Sequence, residues 1–201
     1  MTRRLLWCGV LAGPLFVLSF LVQGAVKGGG YDPMRHPVSS LALGPHGWAQ
    51  VATFIVTGTL IVAFAVALRP WWGAVFVGLV GIGLIGAGAF RTDPVSGYPP
   101  GTPPLLTDYT TLGALHDAFS APVFLGLAVA PLVLARGGWR WAVYSVLSGL
   151  LVLVGFVMAG SGFAQEGPVE IAGLLQRLTL VVGFGWLTAL AVRRLRAVPP
   201  A

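Results

Sequence analysis

Residues 71–90 read WWGAVFVGLVGIGLIGAGAF, a stretch of twenty without a charged side chain. A helix needs about 20 consecutive apolar residues to cross the hydrocarbon of a bilayer. Glycine recurs along the stretch, and small residues let helix backbones approach closely where no hydrophobic force acts between helices. The stretch therefore predicts a membrane-spanning helix packed tightly in a bundle. A narrow cavity for a lipid tail is the alternative use of these glycines.

The same pattern recurs along the whole chain. Hydrophobic residues make up 56% and charged residues 9% of the 201 residues, and windows of about 19 residues give six candidate transmembrane helices. We expect an all-α, six-helix transmembrane bundle built by one integral membrane domain, residues 1–201. A cleaved signal peptide is the alternative for the first apolar stretch, but that stretch is longer than the usual signal of about 7 to 15 residues. The predicted spans are 5–26, 48–68, 72–90, 112–134, 141–160 and 171–192.

Cationic side chains mark one side of this predicted bundle. Eight of the twelve Lys and Arg residues lie near the termini or in the two short connections. The positive-inside rule places that side, and with it both termini, in the cytoplasm. The longer segments 27–47, 91–111 and 161–170 then face outward. We expect a multi-pass protein of the plasma (inner) membrane, surrounded by membrane lipids.

The net charge of +6 does not indicate nucleic-acid binding. The cations fall at the ends of apolar runs and form no basic stripe interleaved with aromatic residues. The single cysteine, Cys8, excludes an intramolecular disulfide. The sequence contains no phosphate-binding glycine loop, dinucleotide fingerprint, CxxC or HExxH motif. We therefore expect no cofactor and no resident metal.

Polar residues at membrane depth are the informative ones. All six acidic residues and all three histidines map to the predicted outer half, and long loops explain those that are exposed. His116 and Asp117, however, begin the fourth helix, and Arg177 lies about two turns inside the sixth. A charge at that depth costs a few kcal/mol unless it is paired or hydrated. Arg177 is expected to pair with Asp117, Glu166 or Glu170, either to lock two helices together or as part of a functional site.

Four polar segments interrupt the apolar runs: YDPMRHPVSSLALGPHGW at 31–48, FRTDPVSGYPPG at 90–101, LHD at 115–117 and LLQR at 174–177. In this order they resemble the bacterial membrane family called domain of unknown function 998, and the resemblance covers nearly the whole chain. It implies a six-helix integral membrane protein with polar residues near one face, and it implies no established reaction. Matching positions mark Asp32, Arg35, His36, Ser39, Arg91, Asp93, His116, Asp117 and Arg177.

The first functional hypothesis is an outward-facing polar pocket that binds and modifies a lipid or isoprenoid-like substrate. Cofactor-independent acid/base chemistry, such as cyclisation or isomerisation, suits its carboxylates and imidazoles. Arginines would hold an anionic head group of this hydrophobic small molecule. The candidate catalytic residues are Asp93, His116, Asp117 and His36. The candidate substrate-binding residues are Asp32, Arg35, Ser39, Arg91 and Arg177.

Two alternatives stay open. A zinc-dependent membrane hydrolase would use His36, His116 and one or two of the aspartates Asp32, Asp93 and Asp117 as ligands. A non-enzymatic lipid-binding or accessory protein would use the outer charges for structure and would contact a membrane protein partner. The chemical hypotheses require that the ionisable residues meet in one cavity near the outer surface.

Overall fold

The computed structural model describes residues 2–69 and 71–199. These residues form six α-helices and two short 3-10 helices, Val38–Ala42 and Val169–Ile171, and contain no β-strand. Each of the six long helices is long and apolar enough to cross a membrane. The predicted all-α, six-helix transmembrane fold is confirmed, and lipid is its environment. The helices are α1 Thr2–Val26, α2 Gly47–Val66, α3 Trp71–Ala89, α4 Thr111–Val133, α5 Trp139–Phe163 and α6 Ala172–Arg196.

The six helices form a closed ring. Each helix packs against the next along the chain, and α6 returns to α1. Because the connections after α2 and α4 are short, they join antiparallel neighbours at one end of the ring. The connections 27–46, 90–110 and 164–171 lie at the opposite end, which we call the long-loop end.

Glycines set the spacing between α2, α3 and α4. A Cβ atom added to Gly58 would lie 2.6 Å from the Gly81 carbonyl oxygen, and one added to Gly81 would lie 2.8 Å from the Gly58 carbonyl oxygen. Gly83 meets the backbone of Phe119 at similarly close range. Any larger residue would push these backbones apart. The close packing predicted for the α3 glycines is confirmed.

The interior of the ring is filled in one half and hollow in the other. Nearer the termini, Leu6, Phe64, Leu68, Trp186 and Leu190 are buried in the ring. The indole Nε1 of Trp186 has a polar partner there, because it donates to the Ser145 hydroxyl at 3.0 Å. Toward the long-loop end the helices leave a cavity, and the candidate site lies in it.

Candidate functional site

A cavity of about 410 Å³ occupies the long-loop half of the ring. All six helices contribute to its wall, together with residues of the two loops 27–46 and 90–110. Most of the wall is apolar, with Phe16 from α1, Phe54 from α2, Leu84 from α3, Phe124 from α4 and Leu180 from α6. A concave, largely apolar space with a few polar groups is the usual form of a small-molecule site.

His116 is a buried polar group in this wall. It is 2% exposed, and its Nδ1 lies 2.8 Å from the carbonyl oxygen of Ala87 and 3.0 Å from that of Phe90. Because both partners are acceptors, Nδ1 carries the proton. In the neutral ring the lone pair is then on Nε2, and the ring lines the cavity. The end of α3 thus fixes a histidine whose second nitrogen is available as a hydrogen-bond acceptor or base.

Asp117 and Ser120 follow His116 along the same wall. Asp117 is exposed, and its side chain has no hydrogen-bond or ion-pair partner among residues 2–69 and 71–199. A carboxylate at this depth in a membrane protein is costly without a partner. Asp117 is therefore a group that a ligand or water has to satisfy.

Gln176 was missed as a site residue in the sequence. Its Oε1 accepts a hydrogen bond from the backbone N–H of Val38 at 2.8 Å, which pins the 3-10 helix carrying Ser39 against α6. Both Ser39 and Gln176 line the cavity. The signal was present, since LLQR places an amide inside an apolar span, where polar residues usually face the bundle interior. We call Ser39, His116, Asp117, Ser120 and Gln176 the cavity edge.

Arg177 lies beside the cavity but is used by the protein itself. The side chain is buried, and its Nη1 donates to the carbonyl oxygens of Pro33 at 2.5 Å, His36 at 2.8 Å and Gly173 at 3.0 Å. Its Nη2 donates to the Tyr31 hydroxyl. The prediction that Arg177 pairs with a carboxylate is wrong, because backbone carbonyl oxygens accept the hydrogen bonds of the guanidinium instead. This cluster, with Tyr31, Pro33, His36 and Gly173, is called the Arg177 anchor.

The geometry of the loop depends on Gly173. A Cβ atom at this position would lie 2.5 Å from the His36 carbonyl oxygen and 2.7 Å from that of Pro33. Glycine therefore lets the loop reach α6 closely enough for Arg177 to bind it.

His36 and Asp32 stabilise the same loop. The backbone N–H of Asp32 donates to His36 Nδ1 at 2.8 Å, and the Asp32 carboxylate accepts from the N–H of Met34 at 2.8 Å. The imidazole lies between Tyr31 and Tyr98, with ring centroids 5.6 and 5.3 Å away. Burial lowers the pKa of His36 and raises the pKa of Tyr31 to about 12, so both groups are neutral near pH 7. Neither His36 nor Asp32 lines the cavity.

Asp93 anchors the start of α4. Its carboxylate accepts from the Thr110 backbone N–H at 2.9 Å and from the Thr110 hydroxyl at 2.7 Å. The Thr110 hydroxyl in turn accepts from the N–H of Gly113 at 3.0 Å, which makes Thr110 the N-cap. A Cβ atom on Gly113 would overlap the carboxylate. Asp93 therefore holds a helix terminus in place, outside the cavity wall.

The remaining predicted residues, Arg35 and Arg91, do not line the cavity. Arg35 lies 3.8 Å from the exposed Glu170, and Arg91 is exposed. The expectation that all the ionisable residues share one cavity is wrong. The structure brings Ser39, His116 and Asp117 to the cavity and places the other six residues outside its wall. No arginine or lysine of the described chain lines the cavity, so the expected clamp for an anionic head group is not assembled there.

The described ranges also contain no group of three or more His, Cys, Asp or Glu side chains arranged to hold a metal. His36 belongs to the Arg177 anchor, whereas His116 faces the cavity and is bonded to α3. The ligand set that the zinc hypothesis requires is thus separated between two parts of the bundle.

Comparison with known proteins gives a family and no activity. Residues 10–193 match the family described as "Protein of unknown function (DUF998)". No curated protein and no solved structure matches the chain. Since the family match spans most of the 201 residues, the chain belongs to this family of membrane proteins of unknown function.

Proposed function

We propose that this protein binds a membrane amphiphile, lipid-like or isoprenoid-like, in the cavity. Its hydrocarbon part would pack on Phe16, Phe54, Leu84 and Leu180, and its polar end would meet the cavity edge. The observation that carries the proposal is an apolar hollow in the bundle that also contains an unpartnered carboxylate, that of Asp117. Apolar walls favour a hydrocarbon chain, and the cavity edge requires a hydrogen-bonding end.

The cavity volume limits the size of the ligand. A space of about 410 Å³ falls within the range of roughly 300–1,000 Å³ that is usual for small-molecule sites. If one water-sized group takes roughly 30 Å³, the cavity holds roughly 14 such groups. It therefore fits one chain segment with a small polar end.

The cavity edge also limits the chemistry of the polar end. The Asp117 carboxylate and the His116 Nε2 accept hydrogen bonds, and no cationic side chain of the described chain joins them. A phosphate or diphosphate end would meet a carboxylate without a compensating Arg or Lys. The proposed ligand therefore carries a hydrogen-bond donor, as in a hydroxyl or amine.

We further propose that His116 and Asp117 carry out acid/base chemistry on this ligand. His116 Nε2 would accept a proton from the ligand, while the neighbouring Asp117 carboxylate stabilises the imidazolium that forms. That proton would come from a carbon next to a carbonyl group of the ligand, which leaves an enolate, and its return to a different carbon would complete an isomerisation without a redox partner. A histidine held in one tautomer by the Nδ1 contacts is suited to this role.

Binding is tested with purified protein and a long-chain alcohol, followed by native mass spectrometry. We expect Asp117→Asn to weaken binding by roughly 5-fold or more, because the amide oxygen still accepts a hydrogen bond but no longer carries a charge. Asp108→Asn, in the exposed loop and outside the cavity wall, is the matched control. Unchanged affinity in Asp117→Asn would refute the placement of the polar end.

A second pair of variants tests the cavity itself. A Cβ atom meets nothing within 4 Å at Gly160 or Gly185, but Gly160 alone of these two lines the cavity. We expect Gly160→Phe to abolish binding and Gly185→Phe to preserve it. Full binding by Gly160→Phe would exclude this cavity as the site.

Chemistry is separated from binding by His116→Asn. An asparagine amide can still donate to the α3 carbonyls but lacks the Nε2 lone pair. The probe is a long-chain 2-hydroxyketone, which has a removable proton next to its carbonyl group. We expect it to be recovered unchanged from this variant and isomerised from the wild type. Unchanged ligand from both proteins would reduce the proposal to binding alone.

The proposed orientation places the long-loop end outside the cytoplasm, at the surface of the plasma membrane, because the cations cluster at the other end. In intact cells and a Cys8→Ala background, a membrane-impermeant maleimide should label Thr107→Cys. It should spare Ala197→Cys until the cells are lysed. The reverse labelling would invert the topology.

A further inference from the structure

A second apolar depression lies on the membrane-facing side of the cavity. This groove, about 360 Å³ in volume, runs between α4 and α5, and its wall is entirely apolar, with Pro122, Leu125, Leu150 and Leu153 among its residues. The groove and the cavity share Ala121, Phe124 and Phe156. The same three residues thus form the partition between the lipid-facing surface and the interior of the bundle.

The partition is formed largely by two aromatic rings. Phe124 and Phe156 stack with centroids 4.5 Å apart, and Phe156 is 38% exposed. Side chains with this exposure change rotamer rapidly. The backbone next to the partition is also less constrained than elsewhere, because Pro122 in α4 has no N–H to donate to the preceding turn.

The α4–α5 seam is the least extensive of the contacts between neighbouring helices in the ring. One turn beyond Phe156, Gly160 leaves open space where a side chain would otherwise stand. Nearer the termini the same two helices pack closely, because a Cβ atom at Gly149 would lie 2.6 Å from the Ala128 carbonyl oxygen. The contact between α4 and α5 therefore opens toward the long-loop end. Three features therefore occur together between α4 and α5: the least extensive helix contact, a proline without a backbone donor and a glycine beside open space.

We propose that the groove binds the hydrocarbon chain of the ligand and that the chain passes from the bilayer into the cavity between Phe124 and Phe156. The occupant follows from the surroundings, since this part of α4 and α5 lies in the spanning region and the groove offers no polar group. Continuity with the cavity distinguishes the groove from an ordinary lipid-facing surface. The inference rests on the proposed function and adds the route by which the ligand arrives.

The experiment uses the full chain reconstituted in phosphatidylcholine vesicles with a long-chain alcohol that carries a photoreactive diazirine. Samples are illuminated at increasing times after mixing, and labelled residues are identified by mass spectrometry. In the wild type we expect Phe124 and Phe156 to be labelled first and Leu84 and Leu180 later.

Variants at the partition should change the rate of cavity labelling in opposite directions. Phe124→Ala with Phe156→Ala should speed it roughly 2- to 10-fold, as loss of one aromatic pair predicts. Ala121→Phe, which adds bulk to the seam, should slow it and keeps the test valid if the double variant fails to fold. Leu151→Ala is the control, because Leu151 is exposed on α5 but lines neither space.

The outcomes separate the two proposals. If Leu84 and Leu180 become labelled at the same rate in the wild type and in all variants, the lateral route is overturned. The proposed binding function stands in that case, because the cavity is still labelled. That result would direct attention to access past Leu105 and Tyr109 at the long-loop end. Absence of cavity labelling at equilibrium would overturn both.

Discussion

The Arg177 anchor and the cavity edge lie at the same end of the bundle, and each contains one charged residue and one histidine, but they differ in what satisfies those side chains. In the anchor, the guanidinium of Arg177 meets carbonyl oxygens of Pro33, His36 and Gly173. At the cavity edge, Asp117 has no protein partner in the described chain, and His116 uses one of its two nitrogens.

This difference separates structural polar residues from candidate functional ones. A buried polar group that the protein satisfies stabilises the fold, and its substitution leaves other groups unpaired. A polar group that the protein leaves unsatisfied beside a cavity contributes little to folding and is free to contact a ligand. Substitution of Arg177 in the anchor should therefore change stability, and substitution of Asp117 at the cavity edge should change binding.

The largest effect on stability is expected for Arg177→Met. Methionine keeps much of the apolar volume but leaves the carbonyl groups of Pro33 and His36 and the Tyr31 hydroxyl without their donor. Since each buried unsatisfied group costs ~1–3 kcal/mol, we expect the free energy of unfolding in detergent to fall by roughly 3 kcal/mol or more. Denaturation monitored by circular dichroism measures this change.

Arg177→Lys and Asp117→Asn sharpen the contrast. Lysine restores the charge but lacks the fork that reaches several acceptors at once, so its loss of stability should be intermediate. Asp117→Asn should change the free energy of unfolding by less than about 0.5 kcal/mol, as is usual for exposed sites. Equal losses in Arg177→Met and Asp117→Asn would break the distinction between anchor and cavity edge.

The fold was predictable because the length of an apolar run directly reflects the thickness of the bilayer. The helix bounds were less so. α5 continues to Phe163 and α6 to Arg196, beyond the predicted 160 and 192, because a helix does not stop where the hydrocarbon does. The order of the helices around the ring could not be predicted from hydropathy. Hydropathy indicates that a segment crosses the membrane, but it does not show which helices are neighbours.

The site was predictable only in part, because the sequence lists the side chains but does not show which backbone groups form hydrogen bonds with them. Arg177 was expected to need a carboxylate, but three carbonyl oxygens serve it. Asp93 was expected to be catalytic, but it binds Thr110 at the start of α4. His116 and Asp117, which line the cavity, could be singled out because charged and titratable residues inside a span usually face the bundle interior.

The smallest effect is a pH dependence that belongs to the anchor. His36 accepts a hydrogen bond at Nδ1, which an imidazolium cannot do. Its pKa in the folded protein is lowered from 6.5, first by burial and then by the charges of Arg35 and Arg177, while the Ser96 carbonyl and Asp32 oppose the shift. The unfolded chain therefore binds a proton before the folded chain as the pH falls. The stabilisation is fully present above the unfolded pKa and is lost as the pH falls toward the folded one.

We expect the free energy of unfolding of the wild type to decline on acidification through this window with a slope of at most ~1.4 kcal/mol per pH unit. His36→Asn isolates the contribution of His36, since the amide oxygen can accept from the Asp32 N–H but does not titrate. Melting in detergent between about pH 5 and 8 should show a shallower slope for the variant. If stability depends on pH equally in the wild type and in His36→Asn, His36 is not held neutral by the anchor. The contrast between His36, which serves the fold, and His116, which has a free nitrogen, would then have no support.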